Sequence, residues 1–441
     1  MSWKKVKLGE LCLIEKGNTG IQKAIIGDFP LVVTSEERKS HNEFQFDDEA
    51  VIIPLVSSTG HGHKSLKRIH FQTGKFAVGS ILCAVIPKDK TILNAEYLYR
   101  YLDLNREDEL VSRMKGMANV SLPIKEIAKI EIPLPPIEEQ RKFVEAYAEL
   151  ECNNEDLSTE LTHQLTLVKK LRQQLLQDAV QGKLVEQNPK DEPASELLKK
   201  IKAEKEKLIA EKKLKKEKEL PPIKPEEIPF EIPDNWVWCR LGEIGKITGG
   251  GTPSMGNEEY WNGNIPWVSP KDMWTEFVTD TEMKVTPKGI AESSTNLIPV
   301  GSLLIVGRSG ILKRKLPVAI NSVECTVNQD MKVIIPHLIE MNRFLQFMFW
   351  GLESIILKEY VKFGMTVHSL KYDEFSQMPI PLPPLAEQNR IVQKVDELMQ
   401  YCNKLEASIK LSESQNEKLL QQVLREALSQ PLPMESNAYQ S

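Results

Sequence analysis

The chain is written twice, and that repetition limits its possible folds more than any other feature. Residues 133–150 read PLPPIEEQRKFVEAYAEL and residues 381–398 read PLPPLAEQNRIVQKVDEL, identical at nine of eighteen positions at a constant offset of 248. The same offset pairs Gly116-Met117 with Gly364-Met365 and Ser121-Leu122 with Ser369-Leu370. It also pairs Leu171–Leu176 with Leu419–Leu424. Toward each front the register drifts: Ser58-Thr59-Gly60 answers Arg308-Ser309-Gly310, and Trp3…Leu8-Gly9-Glu10 answers Trp236…Leu241-Gly242-Glu243. A period this long exceeds the roughly 20–50 residues of solenoids and propellers. It describes a duplicated two-part module.

The two parts differ physically. The front parts, 1–132 and 230–380, carry short apolar runs bounded by turn residues, such as Ala50-Val51-Ile52-Ile53 and Leu303-Leu304-Ile305-Val306, which predict strands. Helices are expected over Ala95–Leu104 and Leu338–Tyr360. The back parts open with Pro-Leu-Pro-Pro, which can precede a helix but not enter one. They then run some 45 residues without Pro or Gly. Apolar residues recur there three and four apart: Tyr147, Leu150, Leu157, Leu161, Val168, Leu171 and Leu175, and again Val395, Leu398, Leu405, Ile409, Leu419 and Val423. Such helices need a partner for their stripe, and each copy supplies the other's, as an intramolecular coiled coil. Polar Asn154, Gln164 and Ser412 interrupt the stripe and can fix its register.

Between the copies, residues 199–218 hold ten Lys against four Glu, followed by Pro-rich sequence to Pro233. A solvated helix accounts for this stretch, and a phosphate-touching stripe is the sharper alternative. With a net charge of −5, any nucleic-acid binding must come from local basic patches. Six widely spaced cysteines fit a reducing cytoplasm. No apolar run is long enough for a membrane span. The chemistry of common enzymes has no motif here: no phosphate-binding glycine loop of the right spacing, no dinucleotide fingerprint, no Asn/Asp-Pro-Pro-aromatic loop of an amino-methyltransferase, and no metal-ligand spacing around His61 and His63.

What remains are polar, basic loops at strand ends. Ser57, Ser58, Thr59, His61, His63, Lys64, Lys67 and Arg68 form one; Arg308, Ser309, Lys313 and Arg314 form its equivalent. Thr252, Ser254, Ser269 and Lys271 are a third set of candidate contacts, flanking Trp267, itself expected in the core. Hydroxyls can bond phosphates or base edges, and Arg or Lys can read guanine.

The two Pro-Leu-Pro-Pro-x-x-Glu-Gln helices, the segments Leu175–Leu184 and Pro193–Leu198, and Pro229-Phe230…Pro233…Trp236…Leu241-Gly242-Glu243 together resemble the specificity subunit of type I restriction–modification enzymes. The resemblance covers nearly the whole chain. It implies an α+β protein: two α/β target-recognition domains related by an internal pseudo-two-fold repeat and separated by two long antiparallel coiled-coil helices. The implied bounds are 1–132 and 230–380 for the recognition domains, 133–184 and 381–430 for the helices, 185–229 for a basic helical connector with its Pro-rich linker, and 431–441 for a flexible tail. It implies a non-catalytic cytoplasmic subunit that reads a bipartite, asymmetric site in double-stranded DNA and docks two methyltransferase subunits. Through them it would engage motor–nuclease subunits. S-adenosylmethionine, ATP and magnesium belong on those partners, with no cofactor or metal on this chain. Asn328-Gln329-Asp330 has no counterpart in the first copy, which places the two recognition domains in different sequence classes. A coiled-coil scaffold that never reads DNA, and a self-contained DNA-modifying enzyme, are the competing readings.

Overall fold

Each Pro- and Gly-free stretch is one helix, Ile137–Val180 and Leu385–Ser429, of 44 and 45 residues. The computed structural model describes residues 3–59, 62–117, 119–216 and 218–429; the expected tail at 431–441 lies outside them. The chain divides into two compact units, Met1–His163 with Ile409–Ser441, and Gln164–Ser408, so that each takes part of both long helices. The fold class is α+β, as the repeat and the resemblance led us to expect.

The glutamine of the repeated motif explains how each helix starts. Gln140 is fully buried; its amide donates to the carbonyls of Pro135 (2.8 Å) and Ile92 (2.9 Å), and its Oε1 accepts the Asn94 amide at 2.8 Å. Gln388, also buried, donates in the same way to Pro383 at 2.9 Å. In each case the side chain satisfies a carbonyl that the Pro-Pro turn cannot pair. The glutamates diverge. Glu139 pairs with Lys142 at the surface, whereas Glu387 is buried, accepts Gln187 at 2.5 Å, and has its carboxyl pushed up by that burial.

In the first unit two four-stranded sheets meet. One orders Cys12–Lys16, Leu82–Pro87, Ala50–Pro54 and His70–Gln72; the other orders Lys39–His41, Phe29–Val32, Lys75–Val78 and Phe46–Asp47. The strand Ala50–Pro54 is buried on both faces, and its period of two assigns each side chain. Ala50 and Ile52 meet Phe46, Phe76 and Val78 of the other sheet. Val51 and Ile53 face Tyr97, Leu98, Phe143 and Leu424. The helix Ala95–Leu104 forms as expected, with Asn94 accepting the Tyr97 amide as its N-cap.

The second unit centres on a five-stranded sheet ordered Gly245–Gly249, Met331–Pro336, Leu303–Val306, Val318–Asn321 and Phe277–Val278. The helix expected over Leu338–Tyr360 is instead two, Asn342–Gly351 and Glu353–Glu359. The break falls where Gly351 lies against the first long helix: a Cβ there would come within 2.6 Å of the Leu176 carbonyl. Only glycine permits so close an approach of the two helices.

The coiled-coil seam is narrower than its stripe suggests. Within the first unit Asn154 meets Asn416 and Leu424 joins the cluster of Phe143 and Tyr147; within the second, Arg172 bonds Asn403 and Glu406. In the first unit the helices therefore run antiparallel, and Asn154 does find a polar partner. Tyr147, Leu161, Val168 and Val395 are buried, but Leu157, Leu171, Leu405 and Leu419 stand 43–60% exposed. An unstrained helix drifts ~20° per heptad from a 3.5-residue repeat, which carries part of a long stripe off the seam.

The connector is neither free nor bare. Its helix, Ala194–Ala210, sinks Leu197 and Ile201 into the second unit's core. Lys199, Lys200, Lys202, Lys207 and Lys213 each pair with a nearby glutamate. These pairs fit the solvated-helix account. The Pro-rich stretch behind it is pinned by buried Arg240, whose guanidinium donates to Pro221 (3.0 Å), Pro222 (2.8 Å), Gln377 (2.6 Å) and both oxygens of Glu227 (2.7 and 2.9 Å).

Candidate nucleic-acid interface

The first unit's candidate loop leaves the buried strand Ala50–Pro54 and is anchored at its far end by buried Leu66 and Ile69. Its hydroxyls are largely spent on its own shape. Ser57 Oγ donates to the His63 carbonyl at 2.6 Å, Thr59 lies within hydrogen-bond reach of both, and Ser58 Oγ accepts the Lys67 amide at 2.9 Å. Lys64, Lys67 and His63 are exposed, while Arg68 is tied to Glu36 at 2.8 Å. His61 and Gly60 lie outside the described residues. Beside Arg68, buried His70 faces the Arg38 guanidinium at 3.1 Å; desolvation and the neighbouring cations hold it at about 4, so it is neutral at pH 7.

This loop rests on a hairpin. Lys115 and Ser121 exchange both backbone hydrogen bonds, Val56 bridges Ser121, and the Ser57 amide donates to Val120 at 3.0 Å.

The second unit repeats the construction with different parts. Arg308 and Ser309, expected on a free strand-end loop, form a short strand of their own, paired antiparallel with His368–Leu370, which pairs in turn with Val361–Lys362. A serine of the repeat, Ser121 or Ser369, thus sits at the centre of each arrangement. Ser309 Oγ accepts the Ile311 amide and opens the turn that carries exposed Lys313 and Arg314.

Asn328-Gln329-Asp330 joins two candidate segments that lie far apart in sequence. The Asp330 carbonyl accepts the amides of Gly307 and Arg308, its carboxylate stands 3.9 Å from Arg308 Nε, and Gln329 bonds the Thr252 hydroxyl. Gln329 and Asp330 join the candidate contacts only in the structure; in sequence their motif stands out just as a run without a counterpart in the first copy. Arg308 remains well exposed, so the distant carboxylate orients it without neutralising it. The Gly-rich opening is held by two indoles: Trp267 Nε1 donates to Gly251 at 3.0 Å and Trp261 Nε1 to Ser254 at 3.1 Å. Trp267 is core, as expected. Ser269 spends its hydroxyl on Asp272 at 2.8 Å, and Lys271 is exposed.

Among the described residues no cluster of His, Cys, Asp and Glu could hold a metal ion, and no helix is long and apolar enough to cross a membrane. What both units offer is exposed cations on a rigid, hydrogen-bonded edge.

A family model described as the type I restriction modification DNA specificity domain matches residues 1–167 and 233–412. The chain belongs to that family. It is 43% identical over 169 residues to the EcoR124I/EcoR124II specificity subunit of Escherichia coli, covering 38% of this chain and 42% of the relative. Against the EcoAI specificity subunit of Escherichia coli it is 34% identical over 258 residues, 55% of this chain and again 42% of that protein. The chain thus spans about two fifths of the length of these relatives. A longer match, 24% identical over 435 residues, links it to the EcoDI specificity subunit of Escherichia coli, covering 97% of this chain and 88% of the other. In fold it is similar to the HsdS subunit from Thermoanaerobacter tengcongensis, with TM-score 0.56 and 19% identity over 98% of this chain and 97% of that one. It is similar as well to a chain from a structural study of complex assembly and conformational transition of the type I R-M system, with TM-score 0.57, 19% identity and 98% of both chains covered.

Proposed function

We propose that this chain is the sequence-reading subunit of a type I restriction–modification enzyme, and that each unit reads one half of a split, asymmetric site in double-stranded DNA. The observation that carries this reading is the repeated construction: in both units a buried strand delivers an exposed basic segment onto the flank of a hairpin. Lys64, Lys67, Lys271, Arg308, Lys313 and Arg314 are exposed and able to meet phosphates or base edges. Ser57, Ser58, Ser269 and Ser309, whose hydroxyls are engaged internally, shape the surface that those cations occupy. Thr252 and Gln329 hold each other and present the remaining polar edge. Phosphate contacts set affinity and salt dependence, and base contacts set sequence.

The paired helices serve as spacer and as docking surface for two methyltransferase subunits, which bring S-adenosylmethionine and methylate adenine. Motor–nuclease subunits with ATP and magnesium join through them. The chain itself performs no chemistry in this scheme and works in the cytoplasm. The test is a chimera. Replacing residues 1–132 by the corresponding segment of a relative with a different target should change one half of the methylated motif, read by single-molecule sequencing of the host genome. A change in both halves, or in neither, would refute independent readout. An assembled complex with no DNA affinity would leave only a scaffold.

A further inference from the structure

We infer that Met365 and its counterpart Met117 each read the methyl group of a thymine, one in each half-site. The inference rests on the DNA-reading function proposed above and adds to it a specific base.

The hairpin Val361–Leu370 ends in a tip that turns apolar side chains to solvent. Met365 is fully exposed at 103%, with Phe363 and Val367 beside it in sequence at 58% and 42%. Met117, at the same place in the first copy, is 94% exposed. A single exposed apolar residue is ordinary. The same large side chain at the outermost point of the same hairpin, twice, while half of the aligned positions nearby have diverged, is not explained by packing, because neither methionine packs against anything.

Both turns exclude a side chain at their glycine. A Cβ on Gly364 would come within 2.3 Å of the Val367 carbonyl, and one on Gly116 (φ +115°) within 2.3 Å of the Asn119 carbonyl. The turns are therefore closed to any residue but glycine. Phe363 stacks edge-on against the His368 ring at 5.1 Å, and His368 Nδ1 accepts the Gly364 amide at 3.3 Å. Met365 alone projects freely.

Charge identifies the occupant. Arg308 and Lys362 both pair with Ser369, one from each side, so the three residues form one row across the sheet with their side chains on one face. Lys313, Arg314 and Lys362 make no ion pair among the described residues. In the first unit Lys64 and Lys67 are similarly unpaired, and Met117 sits against their loop: a Cβ on Gly62 would come within 2.4 Å of the Met117 carbonyl. An apolar tip backed by unneutralised cations suits a polyanion that displays a small apolar group.

The major groove of DNA admits a two-stranded ribbon of this width, and the base edges there are donors and acceptors except for one group, the C5-methyl of thymine. A thioether side chain donates nothing and accepts weakly. Unbranched and polarisable, it can follow a methyl group without exact geometry. The thymine methyl is the only feature of an unmodified base edge that Met365 complements.

The test uses the full chain assembled with its methyltransferase subunits, a duplex bearing the methylated motif, and deoxyuridine in place of each thymine in turn. Deoxyuridine removes the methyl and nothing else. Wild type should lose about four-fold in affinity at one thymine per half-site, the worth of one buried methyl group. Met365→Ala should lose a comparable factor on the natural duplex and become indifferent to uridine in the second half-site while keeping its sensitivity in the first. Met117→Ala should do the reverse. Uridine sensitivity that survives in Met365→Ala overturns the inference. So does an equal affinity loss on thymine and uridine duplexes, which would mark a wedge between bases, and so does failure to assemble, which would mark a protein-facing tip. In each case site-specific binding by the wild type leaves the DNA-reading function standing. Its absence in the wild type overturns both.

Discussion

Arg240 offers the most direct test of how the connector is held. Its guanidinium makes five hydrogen bonds, to the Pro221, Pro222 and Gln377 carbonyls and to both oxygens of Glu227. Its side chain is 4% exposed and that of Glu227 34%. Removing one member of a buried pair costs about 3–5 kcal/mol, because the other is left uncompensated. Glu227 keeps a third of its surface in water and can be rehydrated, so Arg240→Ala should fall near the lower limit, about 3 kcal/mol. For a unit of this size that corresponds to a calorimetric Tm lower by roughly 6–12 °C. Tryptic cleavage at Lys212, Lys213 and Lys218 should accelerate as the Pro-rich stretch is released. Arg240→Lys retains the charge but not the planar fork, and should recover only part of the loss. The pH dependence has a definite sign. Hydrogen bonds from Arg240, then from the Lys224 backbone, hold the Glu227 carboxyl down at about 2, below its ordinary 4.5. Its contribution is complete above pH 4.5 and disappears as pH falls toward 2; Arg240→Ala should lack this component of acid sensitivity. A Tm within 2 °C of wild type, with unchanged proteolysis, would refute the reasoning.

Three further outcomes are expected. Gln140→Leu orphans the Asn94 amide and two carbonyls and should destabilise the first unit by about 2–4 kcal/mol in denaturant titration, while Gln388→Leu, which breaks a single bond, should cost about 1. Arg308→Ala should weaken binding of the assembled complex to its site; a base-reading Arg308, whose bidentate guanine contact would be worth about 1–3 kcal/mol, predicts that one position in the second half-site relaxes, whereas a phosphate contact predicts uniform weakening, and a panel of single-base variants decides. Cys152 is exposed, and the other five cysteines are buried, with the Cys12, Cys83 and Cys325 thiols pushed up to about 12 by desolvation. A thiol reagent at pH 8 should therefore label one group per chain rapidly, and a second fast thiol would contradict the buried assignments.

Local regularities carried over from sequence to structure, and contacts between distant segments did not. The Pro-Leu-Pro-Pro starts, the uninterrupted helices, the strand at Ala50 and the Asn94-capped helix follow from spacing and caps, which need no knowledge of neighbours. The approach of Gly351 to the Leu176 carbonyl joins segments 175 residues apart, and no local pattern announces it. Arg240 has no local feature that singles it out; its role comes from carbonyls that the fold brings to it. In the candidate interface the basic residues were legible by type. The engagement of Ser57, Ser58, Ser269 and Ser309 is local, 2 to 9 residues apart, but depends on turn geometry that residue type alone does not give; the tie from Thr252 through Gln329 and Asp330 to Arg308 spans up to 77 residues.

Leu424 has a consequence for how the protein is made. It is 2% exposed within the same apolar cluster as Tyr97, Phe143 and Tyr147, yet it leaves the ribosome roughly 280 residues after Phe143. At synthesis rates of about 5–20 residues per second, that interval is roughly 15–60 s. Through it the first unit has its sheets and its capped helix but an open flank on its hydrophobic core. That flank is available to chaperones or to another nascent chain until the C-terminal helix arrives. The first unit is synthesised first and finished last.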